Sequence, residues 1–162
     1  MKSMLSDNIL RFTVPDYLSL SSCQQILIQR LFDAVEASDK PLAAMFHERL
    51  SEIDDRLDGL LLEDEGCLLG EAVVIARTLS RNVDHLHGMV PIFRAFGRAC
   101  AAHGIARADY EKIAPVLFWT ARECLGSEFS VEMDRALTAL YDQFSREMKD
   151  AADVTCPLPL PR

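Results

Sequence analysis

Apolar positions recur at three- and four-residue spacing along most of the chain, which is the period of a helix with one buried side. Ser22 followed by Gln25 has the spacing of a capping box, so a first helix is expected to begin near Ser19 or Ser22. Its apolar stripe contains Leu20, Cys23, Leu27, Leu31 and Val35.

Proline marks the start of the next predicted helix. Ser38-Asp39-Lys40 offers an N-cap, and Pro41 follows in the first turn. The helical stripe then continues through Leu42, Met45, Phe46, Leu50 and Ile53. Residues 54–59 are acidic, and we expect a corner there that leads through Leu60, Leu61 and Leu62 into a loop.

The segment from Cys67 to about Ser80 has very little polar surface. A helix that is apolar on all sides is surrounded by other helices, so this segment predicts the most buried element of the fold.

Two glycines and a proline divide the second half of the chain into three helices. Pro91 begins a helix that carries Phe93, Phe96 and Cys100 on one side, and Gly104 ends it. A long helix runs from about residue 106 to 125 and stops at Gly126. Its inward residues are predicted to be Tyr110, Ile113, Leu117 and Cys124. Ser130 caps the last helix, whose stripe contains Met133, Leu137, Leu140, Tyr141, Phe144 and Met148.

No hairpin signal or β-branched run suggests a strand, so the predicted fold is all-α with six to eight helices. We expect an irregular leader over residues 1–18, one domain over 19–150, and a disordered proline-rich tail over 151–162.

The charge distribution restricts the classes of partner. With 17 basic and 25 acidic residues the net charge is −8, and the two signs are interspersed. Nucleic acid and anionic membranes are therefore not expected partners. The first residues turn polar too early for a secretory signal, and no apolar run reaches transmembrane length, which predicts a cytoplasmic protein.

Cysteine usage supports a reducing compartment. The five cysteines are odd in number and contain no Cys-x-x-Cys pair, so reduced thiols are expected in place of disulfides or structural zinc. Cys23, Cys67 and Cys124 are predicted to lie in the core, and Cys156 to be accessible.

The ordered string of motifs in the second half resembles the bacterial single-domain globins. The matching segments are 90–98, 103–105, 117–120 and 125–129, together with Tyr110 and Tyr141. Residues 45–50 match more loosely, and the resemblance covers roughly residues 20 to 148. It implies a globin-like fold.

The same resemblance places unusual residues at the haem contacts. Cys100 stands where the family has the proximal, iron-ligating histidine, and Leu61 stands where a phenylalanine stacks on haem. Glu71 replaces a distal glutamine or histidine, and His47 replaces a tyrosine common in bacterial relatives. Phe96 and Ile75 are candidates for filling the pocket if haem is absent.

Each polar candidate has two interpretations. Cys100 is either a thiolate ligand to haem iron or a core thiol, and the core interpretation is favoured because no neighbour in the sequence lowers its pKa. His103 is either a ligand in a shifted pocket or a residue at the exposed end of its helix.

His47 and Glu71 are predicted to face each other as an ion pair, which would disfavour bound oxygen. His85 and His87 form either an incomplete metal site or a solvated loop.

These observations lead to three functional hypotheses. The first is a haem-free sensory or regulatory module without enzymatic activity, like the haem-free globin domains of bacterial stress-response regulators, in which an incompletely filled pocket would receive an apolar small molecule. The second is a haem protein that senses or carries oxygen or nitric oxide through Cys100 or His103. The third is a nitric oxide dioxygenase. A homodimer through the last two helices is also expected.

Overall fold

The computed structural model describes residues 19–62 and 68–153, and within these two ranges it is helical without any strand. The α-helices there are α1 Ser22–Ala37, α2 Leu42–Ile53, α3 Asp55–Leu62, α4 Leu68–Ser80, α5 Val90–Ala102, α6 Asp109–Leu125 and α7 Val131–Asp153. Short 3-10 helices at Leu86–Met89 and Gly126–Glu128 precede α5 and follow α6. The predicted all-α class with six to eight helices is confirmed. The predicted leader lies outside the described residues, and α7 extends three residues into the predicted tail.

The first helix begins at Ser22, within the predicted range, but its capping box lies one residue earlier than predicted. Ser21, not Ser22, is the N-cap, and its side chain accepts a hydrogen bond from the Gln24 backbone N–H at 3.2 Å. The Gln24 side chain in turn accepts from the Ser21 N–H at 3.0 Å. Both Ser–Gln pairs have the same spacing, but the Gln25 amide donates to the Leu20 carbonyl instead.

Two further local predictions at the start of α2 and α3 are wrong. Pro41 is the N-cap of α2 without a side-chain hydrogen bond, whereas Ser38 is the C-cap of α1. The predicted corner at 54–59 is largely the helix α3. Asp54 makes this helix possible because its carboxylate accepts from the backbone N–H groups of Arg56 and Leu57, at 3.1 and 3.3 Å.

The core lies between α7, α5 and α1 on one side and α2 and α6 on the other. The pairing of α5 with α7 is the most extensive in the described part, followed by α1 with α7 and α2 with α6. The largest fully buried apolar side chains come from six different helices: Ile28, Leu50, Leu57, Leu68, Val116 and Leu140. A smaller cluster of Leu31, Ala121, Leu125 and Met133 joins α1, α6 and α7.

The prediction that α4 is the most buried element is wrong. Val73 and Val74 are 41% and 61% exposed, and Glu71 is exposed as well. Only one side of α4 packs against α1, α3 and α5, since the arrangement of helices leaves its other side without a neighbour among the described residues.

Two other burial predictions are also wrong. Leu117 is 37% exposed although it was expected to face inward. Cys23 is exposed although it was expected in the core, whereas Cys124 is half-buried and packs against the smaller cluster, in partial agreement with its predicted core position. Cys67 and Cys156 lie outside the residues whose side chains are described. Over residues 19–62 and 68–153, no helix combines the length and apolar character needed to cross a bilayer.

Candidate functional site

The inner side of α5 positions Cys100 in the core. Proline at the first turn begins this helix, and Gly104, with a φ of +97°, ends it. The Ile105 N–H donates to the Cys100 carbonyl at 3.0 Å and the Gly104 N–H to the Ala101 carbonyl at 3.0 Å, which together form a Schellman motif. As a result Cys100 lies in the last turn of α5 and is only 4% exposed.

The neighbour of the Cys100 thiol is the Tyr110 hydroxyl. Tyr110, in the first turn of α6, is 5% exposed, and its hydroxyl lies close enough to the sulfur for each group to affect the pKa of the other. The two groups do not reach hydrogen-bond geometry, so the hydroxyl has no hydrogen-bond partner among the described residues. The Tyr141 hydroxyl donates to the Tyr110 carbonyl at 2.6 Å, which ties α7 to the same point.

The thiol of Cys100 and the hydroxyls of Tyr110 and Tyr141 stay protonated at neutral pH. The pKa of the Cys100 thiol is raised from 9.0 to about 11, chiefly by burial. The nearby Tyr110 hydroxyl offsets part of this effect, and the negative charge of Glu71 adds to it. Burial likewise raises the pKa of Tyr110 and of Tyr141. Because a thiolate, and not a thiol, is the metal ligand and the nucleophile, this environment makes Cys100 chemically inert.

His103 lies at the end of α5 on the outside of the protein. It is the C-cap residue, it is exposed, and its Nδ1 bonds to the Ala99 carbonyl at 2.8 Å. Since a carbonyl only accepts, Nδ1 carries the proton in this bond. The interpretation of His103 as an exposed residue at the helix end is therefore confirmed.

The predicted ion pair between His47 and Glu71 is wrong. The His47 imidazole instead contacts the carboxylate of Asp58 on α3, which packs beside α2. Glu71 occupies the first turn of α4, where a negative charge interacts favourably with the helix dipole. The sequence pattern missed Asp58 because the segment around it was expected to be a corner.

The apolar candidates are brought together, but the polar candidates are not. Leu61 is 7% exposed and belongs to the same core cluster as Cys100. Phe96 and Ile75 are half-buried and pack against that cluster. His47, Glu71 and His103 are all exposed.

Tyr110 is the residue of this site whose role sequence reasoning missed. It was predicted to face inward, but not to meet Cys100, since the two residues belong to different helices. The signal available in the sequence was Gly104, because a helix stop between two inward residues lets the chain fold back on itself.

All four histidines of the chain are exposed: His47, His85, His87 and His103. His85 pairs with Asp84 at 3.4 Å, and its ring lies edge-on to that of His87 with 6.1 Å between centroids. No group of three or more residues able to hold a metal ion occurs within the described ranges. Both histidines are exposed, as the solvated interpretation expects, but His87 lies in the 3-10 helix Leu86–Met89 and not in a loop.

The residues present do not fit a haem iron. A buried neutral thiol stands at the expected ligand position, and no imidazole reaches the interior. Searches of protein-family models and of curated proteins found no match to this chain.

Proposed function

We propose that the chain is a haem-free, globin-like module with a sensory or regulatory role. The resemblance of residues 90–98 and 125–129 to bacterial globins supports the fold assignment, and the order of helices is compatible with it. The observation that carries the haem-free part is the exposure of every histidine in the chain. With no imidazole inside, the usual proximal ligand is missing, and the residue at the position where the resemblance expects it is Cys100.

Ligation by Cys100 is opposed by its surroundings. Binding iron as a thiolate would require a proton to leave a thiol whose pKa is about 11, beside a hydroxyl that does not donate to it with good geometry. Glu71 adds a nearby negative charge that opposes a second one. Ligation by His103 would require its ring to leave the Ala99 carbonyl and turn inward.

A haemin titration of the purified protein tests this function. We expect no Soret band that saturates at one haem per chain, whether haemin is supplied during expression or added afterwards. A stoichiometric complex in the wild-type protein would contradict the proposal. If such a complex disappears in Cys100→Ala or His103→Ala, the haem-binding alternative would gain that residue as its ligand.

A gain-of-function variant tests the globin-like part separately. Cys100→His places an imidazole where the resemblance expects the proximal ligand, and we expect this variant, unlike Cys100→Ala, to take up haem with a histidine-ligated spectrum. Circular dichroism of both variants checks that each is folded. Absence of haem binding by a folded Cys100→His protein would argue against a globin-like interior.

We also propose a cytoplasmic location for this module. The three cysteines whose side chains are described, Cys23, Cys100 and Cys124, are all free thiols. Free thiols are typical of reducing compartments, whereas secreted domains of this size commonly use disulfides.

A further inference from the structure

The outer side of α4 is more apolar than an exposed helix surface needs to be. The helix sequence, LLGEAVVIARTLS, contains few charged residues, and its side opposite the core carries Val73 and Val74 at 41% and 61% exposure. A helix with so little polar surface is normally covered on most of its circumference. The sequence therefore indicates that something covers this surface, and the described residues do not.

The charges on this surface are arranged symmetrically about Val74. Glu71 lies three residues before it and Arg77 three residues after it, and both are exposed. Neither side chain forms an ion pair with another described residue. Opposite charges at equal distances on either side of an apolar centre form a pattern that is complementary to its own two-fold copy.

We propose that the outer side of α4 is the docking surface for a second copy of this chain, with the two α4 helices antiparallel and Val74 at the two-fold axis. In that arrangement Glu71 of each copy and Arg77 of the other lie at the same height along the helices. Measured along the helix, each of these positions lies about 4.5 Å from Val74, because each of the three residues rises about 1.5 Å. Two ion pairs then flank a contact between the two Val74 side chains.

Charge balance makes association through this surface possible. The net charge of −8 makes two copies repel each other in general. On α4 the single acid and the single base of the exposed surface cancel, so the local repulsion is small. Gly70, one turn before Val74, has no side chain to hold the helices apart.

The size of the surface predicts a weak dimer. One helix of 13 residues offers less area than the roughly 800 Å² per partner of a standard interface. We therefore expect reversible association with a dissociation constant in roughly the micromolar to hundred-micromolar range. This dimer differs from one formed through α6 and α7, and it does not depend on whether haem binds.

Sedimentation equilibrium of the full chain over a wide concentration range tests the proposal, with a matched pair of substitutions. Val74→Glu should leave the protein monomeric because it places two carboxylates at the axis. Val131→Glu is the control, since Val131 is 63% exposed on α7, close to the 61% of Val74. It should leave the association unchanged.

Charge reversal tests the antiparallel arrangement itself. Glu71→Arg and Arg77→Glu should each weaken association roughly tenfold, because like charges then oppose each other twice per dimer. The double variant Glu71→Arg/Arg77→Glu should recover most of the wild-type affinity. A monomeric wild-type protein at the highest concentration, a dimer that survives Val74→Glu, or no recovery in the double variant would each overturn the proposal.

Discussion

Gly97 allows α5 to lie directly against the backbone of α7. A Cβ atom at this position would come within 2.6 Å of the Met148 Cα and 2.8 Å of the Met148 carbonyl carbon. Backbone atoms cannot move aside as a flexible side chain can, so only glycine fits here. The same helix pair is held one turn away by the Phe93 and Phe144 rings, whose centroids are 5.4 Å apart.

Gly97→Ala should therefore lower the free energy of unfolding. Overpacking of this kind costs about 1–3 kcal/mol, which exceeds the gain of up to about 1 kcal/mol in helix propensity. Urea denaturation followed by circular dichroism measures the difference. Gly88→Ala is the control, since a Cβ there meets no atom within 4 Å, and its effect should stay below about 1 kcal/mol. Equal stability of Gly97→Ala and wild type would show that α5 and α7 can separate easily.

For the candidate site, the sequence predicted the burial of Cys100 but did not predict which residue contacts His47. Cys100 was correctly expected to be a core thiol, because an apolar stripe with period 3.6 predicts which residues face inward. The partner of His47 was not predictable, since Asp58 belongs to a segment whose helical character depends on capping by Asp54. Local sequence patterns indicate which face of a helix a side chain occupies. The packing of helices distant in sequence decides which residue that side chain contacts.

The short helix α3 is fixed to α6 by a network of charged side chains. Arg56 donates to the carboxylate of Asp109 at 2.8 Å, and Lys112 donates to that of Asp54 at 2.9 Å. Asp109 also accepts from the Ala106 N–H at 2.7 Å and is 3% exposed. The hydrogen bond from Lys112 is the largest influence on the pKa of Asp54, which lies below its ordinary value of 3.8.

Asp54→Asn should reduce stability at neutral pH but not in strong acid. The folded pKa of Asp54 is lowered, so its charge stabilises the fold above the ordinary value of 3.8, and that contribution is lost as the pH falls through the folded pKa. Asparagine still caps a helix, so the variant removes the charge and keeps the cap. Thermal unfolding at pH 7 and in strong acid, well below the ordinary value of 3.8, measures the difference.

Asp55→Asn serves as the control for this change, because Asp55 is exposed in the first turn of α3 and forms no ion pair with another described residue. Its effect at neutral pH should be smaller than that of Asp54→Asn. A stability difference between wild type and Asp54→Asn that does not change with pH would contradict the assigned role of the Asp54 charge.

At the scale of the molecule, a single large core connects all seven α-helices of the described residues. Buried residues of α1 to α7 belong to one continuous cluster, and the smaller cluster around Leu31 touches it through Leu27 and Leu137. A domain of this size with one core is expected to unfold cooperatively, without a stable intermediate.

Thiol labelling should report this cooperativity. Cys23 is exposed and should react with a thiol reagent in the native protein, whereas Cys100 is 4% exposed and should react only when the chain unfolds. Mass spectrometry of the two cysteine-containing peptides over a urea series gives both rates. We expect Cys100 labelling to follow the unfolding transition seen by circular dichroism. Cys100 labelling well below that transition would indicate that α5 opens locally.

The sequence alone determined the helical class, the approximate number of helices and the glycine stops at Gly104 and Gly126, because periodicity and capping depend on residues close together in the chain. The tertiary structure alone decided that Tyr110 meets Cys100, that His47 meets Asp58 and that the outer side of α4 is left exposed. Those outcomes depend on how helices distant in sequence pack against each other. An apolar side chain can lie in the core, against a partner or in water. Composition alone does not distinguish among these three environments.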